Sequence, residues 1–153
     1  MMLVTNSSGD FDSLLVELSS VVANADYEPV LQDFQQDLAQ GEAEAFQSEH
    51  EPGGSPWLPL KPSTMKRKHH AGILFDTGAL MASLITVGGP GNVHETNPRG
   101  LLFGTDVEYS IFHQEGTAKM PARPHVGTTE DVVDRLMNRI ADDVVKQLTV
   151  SGR

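Results

Sequence analysis

Leu101-Leu102-Phe103-Gly104-Thr105, then Tyr109-Ser110-Ile111-Phe112-His113-Gln114-Glu115-Gly116-Thr117, then Met120-Pro121-Ala122-Arg123-Pro124-His125-Val126-Gly127 set how the rest of this chain must be arranged. The apolar run 101–103, closed by Gly104, predicts a short buried strand. Tyr109 to His113 fit one or two helical turns, which Gly116-Thr117 end. Pro121 and Pro124 each fix their own φ and push the preceding residue towards extended geometry, so Met120 and Arg123 are expected to be extended. The order is strand, helical turn, exposed glycine loop, and a stiff arm carrying one cation.

Upstream, residues 84–87 read as a strand, 88–92 as a turn, 93–96 as a returning strand and 97–100 as a second turn. Gly88-Gly89-Pro90-Gly91 is not followed by Gly-Lys-Ser/Thr or by a helix, so it is a turn and not a phosphate loop. Before it, Asp76 or Thr77 is placed to cap a short helix through Ser83. Trp57-Leu58-Pro59-Leu60-Lys61-Pro62 is expected to lie extended over the body with Trp57 as its anchor, and Ser63 or Thr64 to cap the basic turn after it. Glu51-Pro52-Gly53-Gly54-Ser55-Pro56 ends a helical region. There Asp10 is expected to cap a helix with the stripe Phe11, Leu14, Leu15, Leu18, Val21 and Val22. Asp26 caps a second one, with Pro29 in its first turn and Val30, Leu31, Phe34, Leu38, Ala45 and Phe46 on one face. Gly41 weakens that helix by up to about 1 kcal/mol. Downstream, Thr128 or Thr129 caps a long helix with Glu130 and Asp131 in its first turn and Val132, Val133, Leu136, Ile140, Val144 and Leu148 as its stripe.

These pieces predict one α+β domain over 1–153: a loose tail (1–9), a helical region (10–50), a sheet-and-loop region (51–127) and a C-terminal helix (128–150). The expected core is an antiparallel sheet of three to five strands packed on the long C-terminal helix and flanked by two N-terminal helices.

The charge is unevenly spread. Residues 1–60 hold eleven Asp or Glu and no Lys or Arg, while the remainder holds ten acids against eleven bases. Phosphate-backbone binding is therefore disfavoured, and Lys66-Arg67-Lys68-His69-His70 is too short a cluster to reverse that. From charge alone, like-charged protomers would associate better as salt rises. The absence of cysteine excludes disulfides and thiolate chemistry. No run approaches a membrane span, and Met1-Met2-Leu3-Val4-Thr5 does not read as a signal peptide.

Nothing in the residue pattern demands catalysis. The six histidines show no tetrahedral zinc spacing, and no other metal or cofactor motif is present. Ser83 and Ser110 lack the Gly-x-Ser-x-Gly elbow. A small hydrolase or metal-dependent enzyme using His113 and Asp106 is the competing reading, resting only on their nearness in sequence. A monomeric adaptor module is a third.

Trp57-x-Pro59-Leu60, Thr64 with Lys66 or Lys68, Ile73-Leu74-x-x-Thr77-Gly78-x-Leu80-x-x-Ser83, Phe103-Gly104-Thr105, Tyr109-x-x-x-His113-Gln114-x-Gly116-Thr117 and Pro121-Ala122-Arg123-Pro124 occur in that order. The set resembles the phage virion morphogenesis proteins of Mu-like phages and the related tail completion proteins of tailed phages, from about Trp57 to Gly127. A more distant likeness, to minor tail or neck proteins of long-tailed phages, covers Tyr109 to Pro124. Two departures are Ser110, where the pattern often has alanine, and His125-Val126, where an aromatic-aliphatic pair usually follows the Arg-Pro.

The resemblance implies a non-enzymatic virion building block without cofactor. It would form a ring with copies of itself and meet other tail or neck proteins at the tail or head–tail junction, after assembly in the host cytoplasm. It would bind neither nucleic acid stably nor membrane. The motif residues it marks are Trp57, Leu60, Thr77, Gly78, Leu80, Tyr109, His113, Gln114, Gly116, Pro121, Arg123 and Pro124. Arg123, on its stiff arm, is expected to act between subunits.

Overall fold

The computed structural model describes residues 8–68 and 72–151. Of the expected loose tail 1–9, residues 1–7 lie outside the described residues, as does the His69-His70 end of the basic cluster, while Ser8 and Gly9 are already helical. The first helix, α1 (Ser8–Asn24), begins before Asp10, so Asp10 lies inside it and does not cap it. The N-cap position of α2 (Glu28–Ser48) is Tyr27, one residue after the expected Asp26, whose Oδ1 still accepts the Glu28 N–H at 2.9 Å just before the helix. Gly41 does not interrupt α2, which buries Leu31, Phe34, Ala45 and Phe46 on the predicted face. Thr129 Oγ1 accepts the Val132 N–H at 3.3 Å at the start of α6 (Glu130–Ser151), with Glu130 and Asp131 favourably placed in its first turn.

Between these lie α3 (Pro62–Arg67), α4 (Ala79–Ile85), the strands β1 (Asn92–Asn97) and β2 (Gly100–Thr105), and α5 (Ser110–Glu115). Pro62, whose missing N–H costs nothing in a first turn, opens α3, and neither Ser63 nor Thr64 caps it. The two strands form one antiparallel hairpin, with His94 opposite Phe103 and their rings stacked at 4.2 Å.

The described sheet thus has two strands where three to five were expected, because residues 84 and 85 complete α4. Gly78, at φ +81°, turns the chain into this helix, and Thr77 Oγ1 accepts the Ala79 N–H at 3.3 Å. Leu80 and Leu84, one turn apart, then both face the core. The Ser83 hydroxyl between them donates to the Leu80 carbonyl at 2.7 Å and meets the Thr105 hydroxyl at 2.7 Å, tying α4 to β2.

The core is Phe46, Trp57, Ile73, Leu80 and Leu84, with the Trp57 ring edge-on to Phe46 at 5.4 Å. The hairpin is seated on α2 and α4, and α6 lies along α1 and α2, so the C-terminal helix reaches the sheet through α2. Asp37 of α2 pairs with Arg139 of α6 at 2.9 Å. The guanidinium of Arg99, in the hairpin turn, donates to the Val22 and Ala23 carbonyls at the end of α1, where the helix dipole favours a cation. The predicted stripes of α1 and α6 are only partly covered: Leu15, Leu18 and Val22 are exposed, as is Val133, and Leu136, Ile140, Val144 and Leu148 are half-buried.

Candidate functional site

The arm 121–126 carries no regular structure, so its polar backbone groups need side-chain partners. Gln114 of α5 supplies several. Its Oε1 accepts the N–H groups of His125 (3.0 Å) and Val126 (3.1 Å), and its Nε2 donates to the Val126 carbonyl at 2.9 Å. Trp57 Nε1 donates to the Pro124 carbonyl at 2.7 Å. Arg123 completes the brace from the other side. Its Nε donates to the Leu58 carbonyl (2.8 Å) and its Nη2 to the Pro59 carbonyl (3.2 Å). Two elements that cannot form strands, the proline arm and the proline segment 57–60, are thereby held together by side chains.

Within the chain Arg123 is an internal strut and not an exposed cation: it is 4% exposed, bonded to carbonyls of its own chain, and forms no ion pair with an acid among the described residues. Leu58-Pro59 cannot engage a ladder, which leaves carbonyls that a guanidinium fork satisfies.

The loop before the arm is closed by its own hydrogen bonds. Thr117 and Met120 exchange backbone bonds of 2.8 and 3.2 Å, and Thr117 Oγ1 accepts the Lys119 N–H at 3.2 Å. Gly116 sits at φ +76°, and a Cβ there would lie 2.6 Å from the Ala122 nitrogen, so only glycine fits. Lys61 Nζ donates to the Lys119 carbonyl at 3.4 Å, holding the tip against the start of α3. Thr117, Ala118 and Lys119 are exposed.

A cavity of about 510 Å³ opens beneath this loop. Of the motif residues, Leu60, Thr77, Gly78 and Leu80 line one side, and Tyr109, His113, Pro121 and Arg123 the other. Trp57, Gln114, Gly116 and Pro124 lie behind it, in the bracing. The cavity is electropositive, because Lys61, Lys68 and Lys119 join Arg123 against the single carboxylate of Asp76. None of these cations forms an ion pair among the described residues. His113, edge-on to Tyr109 at 5.9 Å, is held below the usual histidine range, first by burial and then by the charges of Arg123 and Lys68. Its Nδ1 is buried without a hydrogen-bond partner.

The structure does not bring His113 and Asp106 together: they line different cavities and share no hydrogen bond. It pairs two other residues instead. Ser110 Oγ lies 2.9 Å from His125 Nε2, and His125 Nδ1 lies 3.2 Å from the Arg123 carbonyl. An Nδ1–H donor and an Nε2 acceptor satisfy both contacts, and burial lowers the imidazole pKa, keeping that ring neutral. His125 has no exposed surface, and its ring lies edge-on to Phe46 at 6.2 Å, so the pair holds the arm to the core. Its sequence signal was that Ser110 and His125 are the two departures from the family pattern. Of the cavity lysines, Lys68 falls in the motif set, whereas Lys61 and Lys119, 58 positions apart, carried no comparable signal.

Fold and site together define an α+β domain whose motif residues are spent on a braced loop and arm above a cation-lined cavity. The chain belongs to the phage virion morphogenesis family, whose model matches residues 9–145. That membership makes it a virion assembly protein of phage type. Neither the curated proteins nor the solved structures compared with it match the chain.

Proposed function

We propose that this chain is a non-enzymatic building block that forms a ring and completes the tail of a Mu-like phage, or joins tail to head. The observation that carries the reading is the bracing of the loop and arm. Side chains of Trp57, Gln114 and Arg123 fix segments without secondary structure of their own, which presents a contact surface whose ordering cost is already met within the monomer. The partners are copies of itself and other tail or neck proteins, in the virion at the tail or head–tail junction. No helix among the described residues is long and apolar enough to cross a membrane. The excess of acid in residues 1–60 argues against stable nucleic-acid binding.

Negative-stain electron microscopy of the purified chain tests the reading, together with particles made without it. Rings, and heads and tails that fail to join or finish, are expected. A chain that stays monomeric at every concentration, with particles of normal form in its absence, would refute it.

A further inference from the structure

Two features of opposite charge stand at opposite ends of the proline arm. At one end is the 116–120 tip, a projecting hairpin whose exposed Lys119 is joined by Lys61. At the other end, beyond Gly127, a groove of about 460 Å³ lies between the end of α2 and the start of α6. Asp37, Glu44, Glu51 and Asp131 line it, against Arg135. Asp37 is already paired with α6, whereas Glu44, Glu51 and Asp131 form no ion pair among the described residues.

We infer that the 116–120 tip of one copy docks in this acidic groove of the next copy. The inference deepens the ring reading and rests on it. Shape and charge both favour a second copy as occupant: one feature is a hydrogen-bonded turn carrying Lys119 beside Lys61, the other a concavity with three acids outside any ion pair among the described residues. The contact uses two different patches, so it is heterologous and propagates head to tail, closing into a ring when the rotation per copy allows. The arm between them is extended and stiffened by Pro121 and Pro124, so tip and groove keep a fixed spacing. The dependence on salt expected from net charge is reversed. Unlike charges meet at the contact, so association weakens as salt rises.

The experiment uses two full-length double variants, Lys61→Glu/Lys119→Glu and Glu44→Lys/Glu51→Lys, each checked by circular dichroism melting and followed by sedimentation velocity. Each alone is expected to self-associate about tenfold or more weakly than the parent, since like charges then face each other. A one-to-one mixture should recover assembly, because the reversed tip of one fits the reversed groove of the other. If either variant assembles as the parent does, or if the mixture of folded variants stays dissociated, the docking is wrong while ring formation stands. A parent chain that never self-associates would sink both.

Discussion

The body around Trp57 and the edge formed by α1 and α6 carry apolar patterns of similar strength in sequence, yet they end in different states. In the body, Trp57, Leu80 and Leu84 are buried, and the polar groups among them find partners, as Ser83 does with Thr105 and Ser110 with His125. On the edge, Leu15, Val16, Leu18 and Val22 of α1 and Val133, Met137 and Val145 of α6 remain exposed. A helical stripe thus tells which face is apolar. What covers that face depends on neighbours that a stripe cannot name.

The largest expected effect separates the two regions. Leu84 has no exposed surface, and Leu84→Ala should cost about 2–5 kcal/mol in a chemical denaturation curve. An unchanged midpoint would show that the body is loosely packed.

Glu42 comes next, because it is a flaw inside the well-packed region. It is 1% exposed; its Oε1 accepts the Gly127 N–H at 3.2 Å, while Oε2 has no hydrogen-bond partner. Burial raises its pKa from 4.5 to about 8, against the smaller opposing pull of the Gly127 bond. Between those values the folded chain holds a proton that the unfolded chain has released, so stability falls as pH rises across the window, by at most about 1.4 kcal/mol per unit. Glu42→Gln should flatten that decline in melts taken from pH 4.5 to 8; an equal slope in both proteins would reject the assignment.

Arg123→Ala removes the donors to Leu58 and Pro59, and should cost about 1–3 kcal/mol while freeing the arm. A melt identical to the parent would return Arg123 to the surface role expected from sequence. A double-mutant cycle gives a smaller effect. Ser110→Ala and His125→Phe each orphan a buried partner, and together they should recover about 0.5 kcal/mol or more of the summed cost. Strict additivity would mean that the two departures from the family pattern are unrelated.

Much of the frame was legible in the chain. Asp26 and Thr129 marked the starts of two long helices, and Pro59 and Pro62 kept the Trp57 segment out of any sheet. The errors have physical causes. Ile85-Thr86-Val87 reads as strand because all three side chains are β-branched, but α4 runs on through Ile85 with Leu80 and Leu84 one turn apart in the core, and core burial outweighed propensity. Arg123 looked like an exposed cation because its acceptors lie 65 and 64 positions away. The cavity rim was hidden for the same reason: no periodicity links α3 to the loop.

Amide hydrogen exchange on the dilute chain tests the contrast between body and edge most directly. The account predicts that amides of α4 and of the segment around Trp57 exchange slowest, near the limit of global unfolding, while those of α1 exchange through local opening and much faster. Protection of α1 equal to that of α4 would contradict it, and would mean that the apolar edge is already closed within a single copy.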